Sequence, residues 1–447
     1  MSILFTTAAA TSPAAIRLQE AIRSRSARVA VIGLGYVGLP MAIELSEAGF
    51  HVSGLELDPD RCETLREGRS YITDLDANRV RQVVDSGHFA PTTDPSSLAA
   101  ADVIIICVPT PLRKSKDPDL TAILAAGDAV AAHLRAGQLV ILESTTFPGT
   151  TEEVLLPALA RTGLQVGEEF FLAFSPERID PGNQQFSVRK ITKLVGGVTP
   201  ACTDLAVAAY QSVVEDVIAV STPRVAEAAK LLENTFRSVN IGLANEMALI
   251  CKHLDVDVWE VIDAAATKPF GFMPHYPGPG IGGHCIPLDP HYLSWKSRLS
   301  GYEPRFISLA SEINGAMPQH VLNLISAALN DQNRCVRGSK VLLLGVAYKP
   351  NVGDVRESPA LELLHLLHQH GARISYCDPH VPSVASGDLL LREQPLTAEL
   401  LRESDCAVVI THHRDFDYEM IVRESKLVVD TRNATRSFAH LGQVRFL

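Results

Sequence analysis

Nowhere in the 447 residues do two cysteines stand as a C-x-x-C pair. The eight cysteines, Cys62, Cys107, Cys202, Cys251, Cys285, Cys335, Cys377 and Cys406, are scattered. That spacing argues against a disulfide framework and against a zinc site, and it suits a reducing cytoplasm. Most of them fall in apolar runs and read as small buried core residues. No run approaches the ~18 apolar residues of a membrane span. Positive charge is also short: 40 Lys and Arg stand against 51 Asp and Glu, a net charge of −11. An acidic chain of this kind is a poor partner for nucleic acid. A phosphate ligand remains open, because a few local cations and backbone N–H groups suffice to hold one. The first 27 residues begin apolar, MSILFTTAAA, but lack a basic n-region. They read as a frayed tail and a short surface helix, not a signal peptide. The expected location is cytoplasmic, with no membrane partner.

What is present is an ordinary globular balance, 46% hydrophobic and 20% charged. The length suggests about two to four domains. From Arg28 to Gly197 short apolar runs alternate with helical patterns. Strands are expected at Arg28–Ile32, Val52–Leu57, Val103–Val108, Leu139–Glu143, Phe170–Phe174 and Leu194–Gly197, with a helix over Val37–Ala48. Such alternation predicts a parallel sheet covered on both faces. From Pro223 to about Leu254 apolar residues recur at helical spacing without a break, predicting one long helix that joins domains and offers a dimer surface. A second helical stretch runs from about Pro304 to Asn330. Between them lies KPFGFMPHYPGPGIGGHCIPLDP, too rich in Gly and Pro for regular structure. Long irregular segments in compact proteins are more often functional than idle. After Gly338 the alternation resumes, with strands at Lys340–Gly345, Arg373–Cys377, Ala407–Thr411 and Leu427–Asp430 and a helix at Ala360–His370. The expected fold class is α/β: two Rossmann-like doubly wound domains joined by a long central helix. The expected boundaries are 1–27, 28–222, 223–330 and 331–447.

The chemistry-bearing motifs follow the strands. VIGLGYVGLP sets Gly33, Gly35 and Gly38 in G-x-G-x-x-G spacing, after a strand and opening a helix. The glycines allow a tight turn, close approach of a pyrophosphate and close helix–strand packing. Tyr36 and Val37 lie inside the same turn. Glu56 ends the next strand, 18 residues after Gly38. A carboxylate there binds a ribose 2′-hydroxyl and repels a 2′-phosphate, so NAD is the expected cofactor. Thr110 in CVPTP, and Ser144 and Thr145 in ESTTFPGT, stand at strand ends where ligands bind. Read alone, they are better explained as turn and cap residues. Glu177 in SPERIDPG, with Arg178 beside it, offers an acid or base. Lys230 and Asn234, at i and i+4, share one helix face and can stabilise an oxyanion. Cys285 stands in GIGGHCIPLDP after two glycines. A helix starting there would activate the thiol and put Asp289 on the same face. A nucleophilic cysteine beside a nicotinamide suggests a thiohemiacetal that gives up hydride, then a thioester that is hydrolysed. Lys349 and Arg356 in GVAYKPNVGDVRES, and Arg432 in DTRN, suit a diphosphate. His365, His368, His370, His412 and His413 lack partners at ligand spacing, so no metal is expected.

These motifs, VIGLGYVGLP, VPTP, ESTTFPGT, SPER, AKLLENTF, PGPGIGGHCIPLDP, GVAYKP…DVRES and VVDTRN, occur in one order from about Arg28 to Arg432. In that set and order the chain resembles the UDP-glucose and UDP-N-acetylhexosamine 6-dehydrogenases. The resemblance implies an N-terminal NAD domain, a C-terminal UDP domain and a dimer through the long helix. It implies Cys285 as nucleophile and Lys230 and Asn234 as oxyanion stabilisers. Asp289 would position or activate water, with Thr145 and Glu177 assisting proton transfer. Thr145, Thr110, Tyr36, Val37 and Arg356 would attend the NAD. Glu177, Arg178, Lys230, Asn234, Tyr276, Gly282, Lys349 and Arg432 would attend the UDP-sugar, with Lys268 a candidate to reach the partner's pocket. The Cys loop resembles the branch acting on UDP-N-acetylglucosamine, which feeds bacterial surface polysaccharides such as O-antigen. Leu288 and His291 depart from that branch, and His291 stands where it would change sugar contacts.

The expected reaction is a four-electron oxidation at C6 using two NAD. The same chemistry on the mannosamine or galactosamine epimer, or on UDP-glucose, is the near alternative. A two-electron alcohol dehydrogenase would need neither Cys285 nor the second nucleotide domain. A sensor that binds UDP-sugar without turnover would not need the set Cys285, Lys230, Asn234 and Asp289.

Overall fold

The computed structural model describes residues 12–72, 75–113, 115, 117–178, 188–387 and 389–447. The expected frayed tail, up to residue 11, and residues 179–182 of SPERIDPG lie outside the described residues. The chain forms two compact units. One runs up to Glu233 and takes in His291–Ser300; the other comprises Asn234–Pro290 and Gly301–Leu447. The long helix, Pro223–His253, belongs to both, with the boundary between Glu233 and Asn234.

In the first unit the strands are β1 (Arg28–Ile32), β2 (His51–Leu55), β3 (Phe89–Thr92), β4 (Val103–Ile106), β5 (Leu139–Leu142), β6 (Phe171–Phe174), β7 (Lys193–Gly197) and β8 (Val217–Ala219). They line up as β3-β2-β1-β4-β5-β6-β7-β8. The run 3-2-1-4-5-6 is the doubly wound dinucleotide-binding order, with its switch point between β1 and β4. Every residue of β4 (VIII), β5 (LVIL) and β6 (FLAF) is buried. Burial on both faces is what makes these strands continuous apolar runs, not alternating ones. One strand departs from the expected parallel sheet: β7 returns antiparallel to β6. Two edge strands were not expected, β3, which FAPT with Pro91 does not announce, and β8; each pairs parallel with its neighbour.

The helix Pro13–Arg23 starts where Ser12 Oγ accepts the Ala15 N–H at 3.1 Å. It is more than a surface helix, since Ala15, Leu18 and Ile22 are buried in the main core, beside the helix Pro200–Tyr210.

The second unit carries β9 (Lys340–Leu344), β10 (Arg373–Cys377), β11 (Ser383–Ser386), β12 (Leu389–Arg392), β13 (Cys406–Val409), β14 (Val428–Asp430) and β15 (Val444–Phe446). Five of these form a parallel sheet, β10-β9-β13-β14-β15, and β11 and β12 pair antiparallel on their own. A helix at Val258–Ala266 precedes the Gly/Pro-rich loop, and one at Asp289–Leu299 follows it. Among the described residues no helix is long and apolar enough to cross a membrane.

If the N-terminal helix is part of the folding unit, Leu18→Ala should lower the unfolding free energy by about 2–5 kcal/mol. Urea denaturation measures this. A loss under about 0.5 kcal/mol, the range of surface substitutions, would show that the helix merely rests on the surface.

Candidate active site

The glycine turn after β1 is shaped by close approach. Gly33 has φ +89°, and a Cβ there would stand 2.6 Å from the Cys107 carbonyl oxygen. At Gly38 a Cβ would overlap the Gly33 carbonyl. Gly35 differs: a Cβ there would meet nothing within 4 Å. Its lack of a side chain leaves space above the turn, as a pyrophosphate requires. Gly38 opens the helix Gly38–Glu47, whose N-cap, Val37, makes no side-chain capping bond. Leu39 and Met41 donate to the Gly35 and Val37 carbonyls at 3.1 and 3.3 Å and Pro40 has no N–H, so what this end of the helix offers an anion is chiefly the positive end of its dipole. Tyr36, 40% exposed, stands on the rim. Glu56 follows β2. Its carboxylate accepts from the Leu34 N–H at 3.2 Å and the Leu57 N–H at 2.9 Å, with Arg61 3.8 Å away.

The next strand ends are tied to one another. Ser144 donates its hydroxyl to the Val108 carbonyl at 2.8 Å, so it clamps two strand ends together. Thr110 is buried, and its carbonyl accepts from the Tyr292 hydroxyl at 2.8 Å. Thr145 is half-buried at the end of β5. Glu177 is buried just past β6. Arg178 spends its guanidinium on Glu233, at 2.7 and 3.3 Å, and on the Thr192 carbonyl at 2.7 Å. It thus holds the turn after β6 to the long helix one turn beyond Lys230. Lys230 is buried, with no ion pair to any described carboxylate. A buried ammonium without a counter-charge suits a site where negative charge appears during reaction.

Sequence reading missed Glu227, on the same helix. It is fully buried and accepts from the Gly149 N–H at 2.5 Å, and from the Thr151 N–H and hydroxyl at 2.9 and 2.7 Å. It pins the ESTTFPGT turn to the helix that carries Lys230. Burial pushes its carboxyl up, against the lowering effect of these bonds. The signal was a carboxylate between Ala226 and Leu231, in the apolar stripe of a helix.

In the second unit Cys285 is exposed. Its carbonyl accepts from the Leu288 and Asp289 N–H groups at 3.2 and 2.8 Å, and regular helix begins only at Asp289. The thiol therefore stands one turn ahead of a helix N-terminus instead of within it. Asp289 is buried in the first helical turn and accepts from Asn234 Nδ2 at 2.5 Å. The glycines before Cys285 lie on the loop after β9. A Cβ at Gly282 would stand 2.7 Å from the Tyr348 Cβ, and the Gly283 N–H donates to the Arg356 carbonyl at 3.0 Å. That loop carries Lys349, half-buried, and Arg356, which is exposed and bound to Asp354 at 2.7–3.1 Å. Arg432 follows β14 and donates from Nε to the Ile410 carbonyl at 2.8 Å, with its guanidinium beside Gly278. Burial pulls it down to about 10, although Asp430 opposes this. A desolvated cation of this kind gains from a bound anion. Tyr276 is half-exposed, stacks on Trp259 at 5.5 Å and donates to Asp263 at 2.7 Å. Lys268 lies over the Phe270 ring at 5.0 Å. His291 lies in the first turn of the helix after the Cys loop. Among the described residues no cluster of three or more His, Cys, Asp or Glu is arranged to hold a metal.

The description of the UDP-glucose/GDP-mannose dehydrogenase family matches in three parts. Its NAD-binding domain covers residues 27–214, its central domain 224–316 and its UDP-binding domain 342–437. The chain belongs to this family. A UDP-N-acetyl-D-glucosamine 6-dehydrogenase of Pseudomonas aeruginosa is 36% identical over 356 residues, 79% of this chain and 83% of the relative. An NDP-N-acetyl-D-galactosaminuronic acid dehydrogenase of Ralstonia solanacearum is 35% identical over 93% of this chain and 98% of its own length. The structure of a UDP-D-ManNAc dehydrogenase from Pyrococcus horikoshii superposes with TM-score 0.86 at 33% identity, covering 94% of this chain and 98% of that one. The protein is therefore an NAD-dependent nucleotide-sugar dehydrogenase, with its cofactor in the first Rossmann-like domain and UDP in the last. The open space over Gly35 and the uncapped helix behind it fit that cofactor.

Two substitutions test the cofactor end. Gly38→Ala should abolish NAD binding, because the new methyl overlaps the Gly33 carbonyl. Glu56→Ala should weaken NAD about tenfold or more, as loss of a charged hydrogen bond does, and should narrow the gap to NADP. Fluorescence titration with both reduced cofactors reads the two effects; an unchanged NAD affinity in Glu56→Ala would place the ribose elsewhere.

Proposed function

We propose that this enzyme oxidises the C6 primary alcohol of UDP-N-acetylglucosamine to the carboxylate, giving UDP-N-acetylglucosaminuronate for surface polysaccharide such as O-antigen. The observation that carries the reading is Cys285. It is an exposed thiol ahead of a helix N-terminus, with the Asp289–Asn234 pair one turn on and the nucleotide-domain loop under its glycines. NAD, when bound, accepts one hydride in each of two oxidations. The first turns the alcohol into an aldehyde. The Cys285 thiolate then adds to the aldehyde carbon, and loss of the second hydride from this thiohemiacetal leaves a thioester. Water opens the thioester to the carboxylate and returns the thiol. Lys230 and Asn234 stabilise the oxyanions formed along the way. Asp289 orients water, and Thr145 and Glu177 handle protons. Lys349 and Arg432 hold the diphosphate, and Arg356 attends the NAD. Choice of the glucosamine epimer rests on the Cys loop and on the relative from Pseudomonas aeruginosa.

The test is NADH formed per UDP-N-acetylglucosamine consumed, with UDP-glucose and the mannosamine and galactosamine epimers alongside. Two NADH per sugar are expected, and Cys285→Ala should lose the carboxylate product. One NADH per sugar would end the thioester reading. Turnover confined to another UDP-sugar would keep the chemistry and change the substrate.

We further propose a homodimer through the helix Pro223–His253. Leu232, Phe236, Leu243 and Ile250 are 42–64% exposed along it, and Leu254, just past its end, is 67% exposed. Their spacing of four and seven residues makes one apolar seam, as helix pairing requires. Leu243→Glu should turn a dimer into a monomer in light scattering, and a wild-type monomer would defeat the assignment.

A further inference from the structure

Four elements of the N-terminal sheet meet at one buried lysine. Lys193, first residue of β7, is 4% exposed. Its ammonium pairs with the Glu143 carboxylate and donates to the Pro176 carbonyl at 3.2 Å. It also stands 3.9 Å from Glu177 Oε2 and lies over the Tyr210 ring at 5.0 Å. Tyr210 donates its hydroxyl to Glu143 at 2.6 Å, and Cys107 Sγ lies 3.4 Å from the other Glu143 oxygen. Each of these partners adjoins a group with a role in the reaction. Glu143 stands two residues before Thr145, Pro176 is next to Glu177, and Cys107 is three residues before Thr110.

A buried ion pair is weak ground for stability, since apolar replacement is often neutral or better. This one also does more than pair. Glu143 neutralises the ammonium, takes the Tyr210 hydroxyl and has no freedom left. The remaining field of the lysine falls on Glu177, and its hydrogen bond fixes the turn on which Glu177 stands. Burial alone would pull the Lys193 ammonium down, but the Glu143 and Glu177 carboxylates outweigh it and hold it above the ordinary lysine value. The lysine therefore stays charged at any working pH. Burial pushes the Cys107 thiol and the Tyr210 phenol up. Among the groups around Lys193, this leaves Glu177 to exchange a proton.

We infer that Lys193 is a positioning residue for the reaction proposed above: it fixes the Glu177 turn and supplies the positive charge against which Glu177 takes up and releases its proton. The inference rests on that reading of the reaction. In the last step water attacks the thioester carbon and one water proton passes to Glu177. The C–S bond breaks with its electron pair going to Sγ, and the second proton leaves the new carboxylic acid for solvent.

The test compares wild type with Lys193→Arg, Lys193→Met and the double variant Glu143→Gln/Lys193→Met, which removes the Glu143 charge together with that of its lysine, so that only Glu177 loses a cation, and keeps an acceptor for Tyr210. Steady-state kinetics across pH is paired with intact-mass detection of sugar bound to Cys285. The two Met variants should lose about tenfold or more in kcat, as loss of one proton-transfer aid does, with KM for NAD unchanged. The acid limb of kcat should move to higher pH, because a carboxylate without its cation keeps its proton longer. The adduct on Cys285 should accumulate, and Lys193→Arg should restore most of the rate. A folded double variant with wild-type kcat, an unmoved acid limb and no adduct would overturn the inference and make Lys193 structural. Failure of the parent reading shows separately, as wild type that makes no carboxylate from any UDP-sugar.

Discussion

A parallel strand buried on both faces has no room for polar chemistry along its length. Its backbone groups are consumed by neighbours and its side chains by the two helix layers. Polar groups collect where the ladder stops, at the carboxyl ends. The first unit obeys this closely. β1 ends at Gly33, β2 before Glu56, β4 before Cys107 and Thr110, β5 before Glu143 and Thr145, and β6 before Glu177. The second unit repeats the pattern, with Lys349 beyond β9 and Arg432 beyond β14. One constraint on burial thus fixes where cofactor and nucleotide groups must stand before any ligand chemistry is considered.

Strand ends are also where a sheet frays, so a site built there needs fastening. The chain uses buried charge and hydroxyls for this. Ser144 ties β5 to β4, Glu227 ties the turn after β5 to the long helix, and Arg178 ties the turn after β6 to the same helix. In the second unit Asp378 accepts from the Val346 and Ala347 N–H groups at 2.7 and 2.9 Å, and from buried His413 at 3.1 Å. His413 in turn accepts the Asn351 N–H at 2.9 Å, so Nε2 carries the proton. The His pair that resembles a metal motif in sequence is thus engaged, through His413, in holding the loop of Lys349.

The sequence announces strong periodicity and glycine turns and is silent on long-range pairing. The glycine motif, β1, β4, β5, the long helix and the Cys loop were all legible, because each is encoded by neighbours in the chain. The antiparallel return of β7 was not, since strand direction depends on a connection without helical periodicity. β3 (FAPT), β11 (SVAS) and β15 (VRF) are as short as β4 and β5 but lack the continuous apolar run that announces those two. The helix Val258–Ala266 was lost in the approach to the Pro-rich loop. Lys193 and Glu227 were hidden for a different reason. A single charge in a sequence reads as solvated, and only the fold reveals that Glu143 or the Gly149 and Thr151 amides are waiting for it. The tie between Arg178 and Glu233 was hidden in the same way, since the two stand 55 residues apart in the chain.

The eight cysteines show how environment selects a nucleophile. Six are buried. Burial pushes the Cys107 thiol far up and holds those of Cys377 and Cys406 at about 12. A thiol so protonated is a small apolar side chain, inert as a nucleophile. Cys335 is exposed, but its thiol donates to the Arg337 carbonyl at 3.4 Å, and it has no flanking glycine. Cys285 alone combines exposure, flanking glycines that let a substrate approach, and a following helix whose first turn holds Asp289. The reactive group is therefore distinguished less by being a cysteine than by standing outside the core that silences the others.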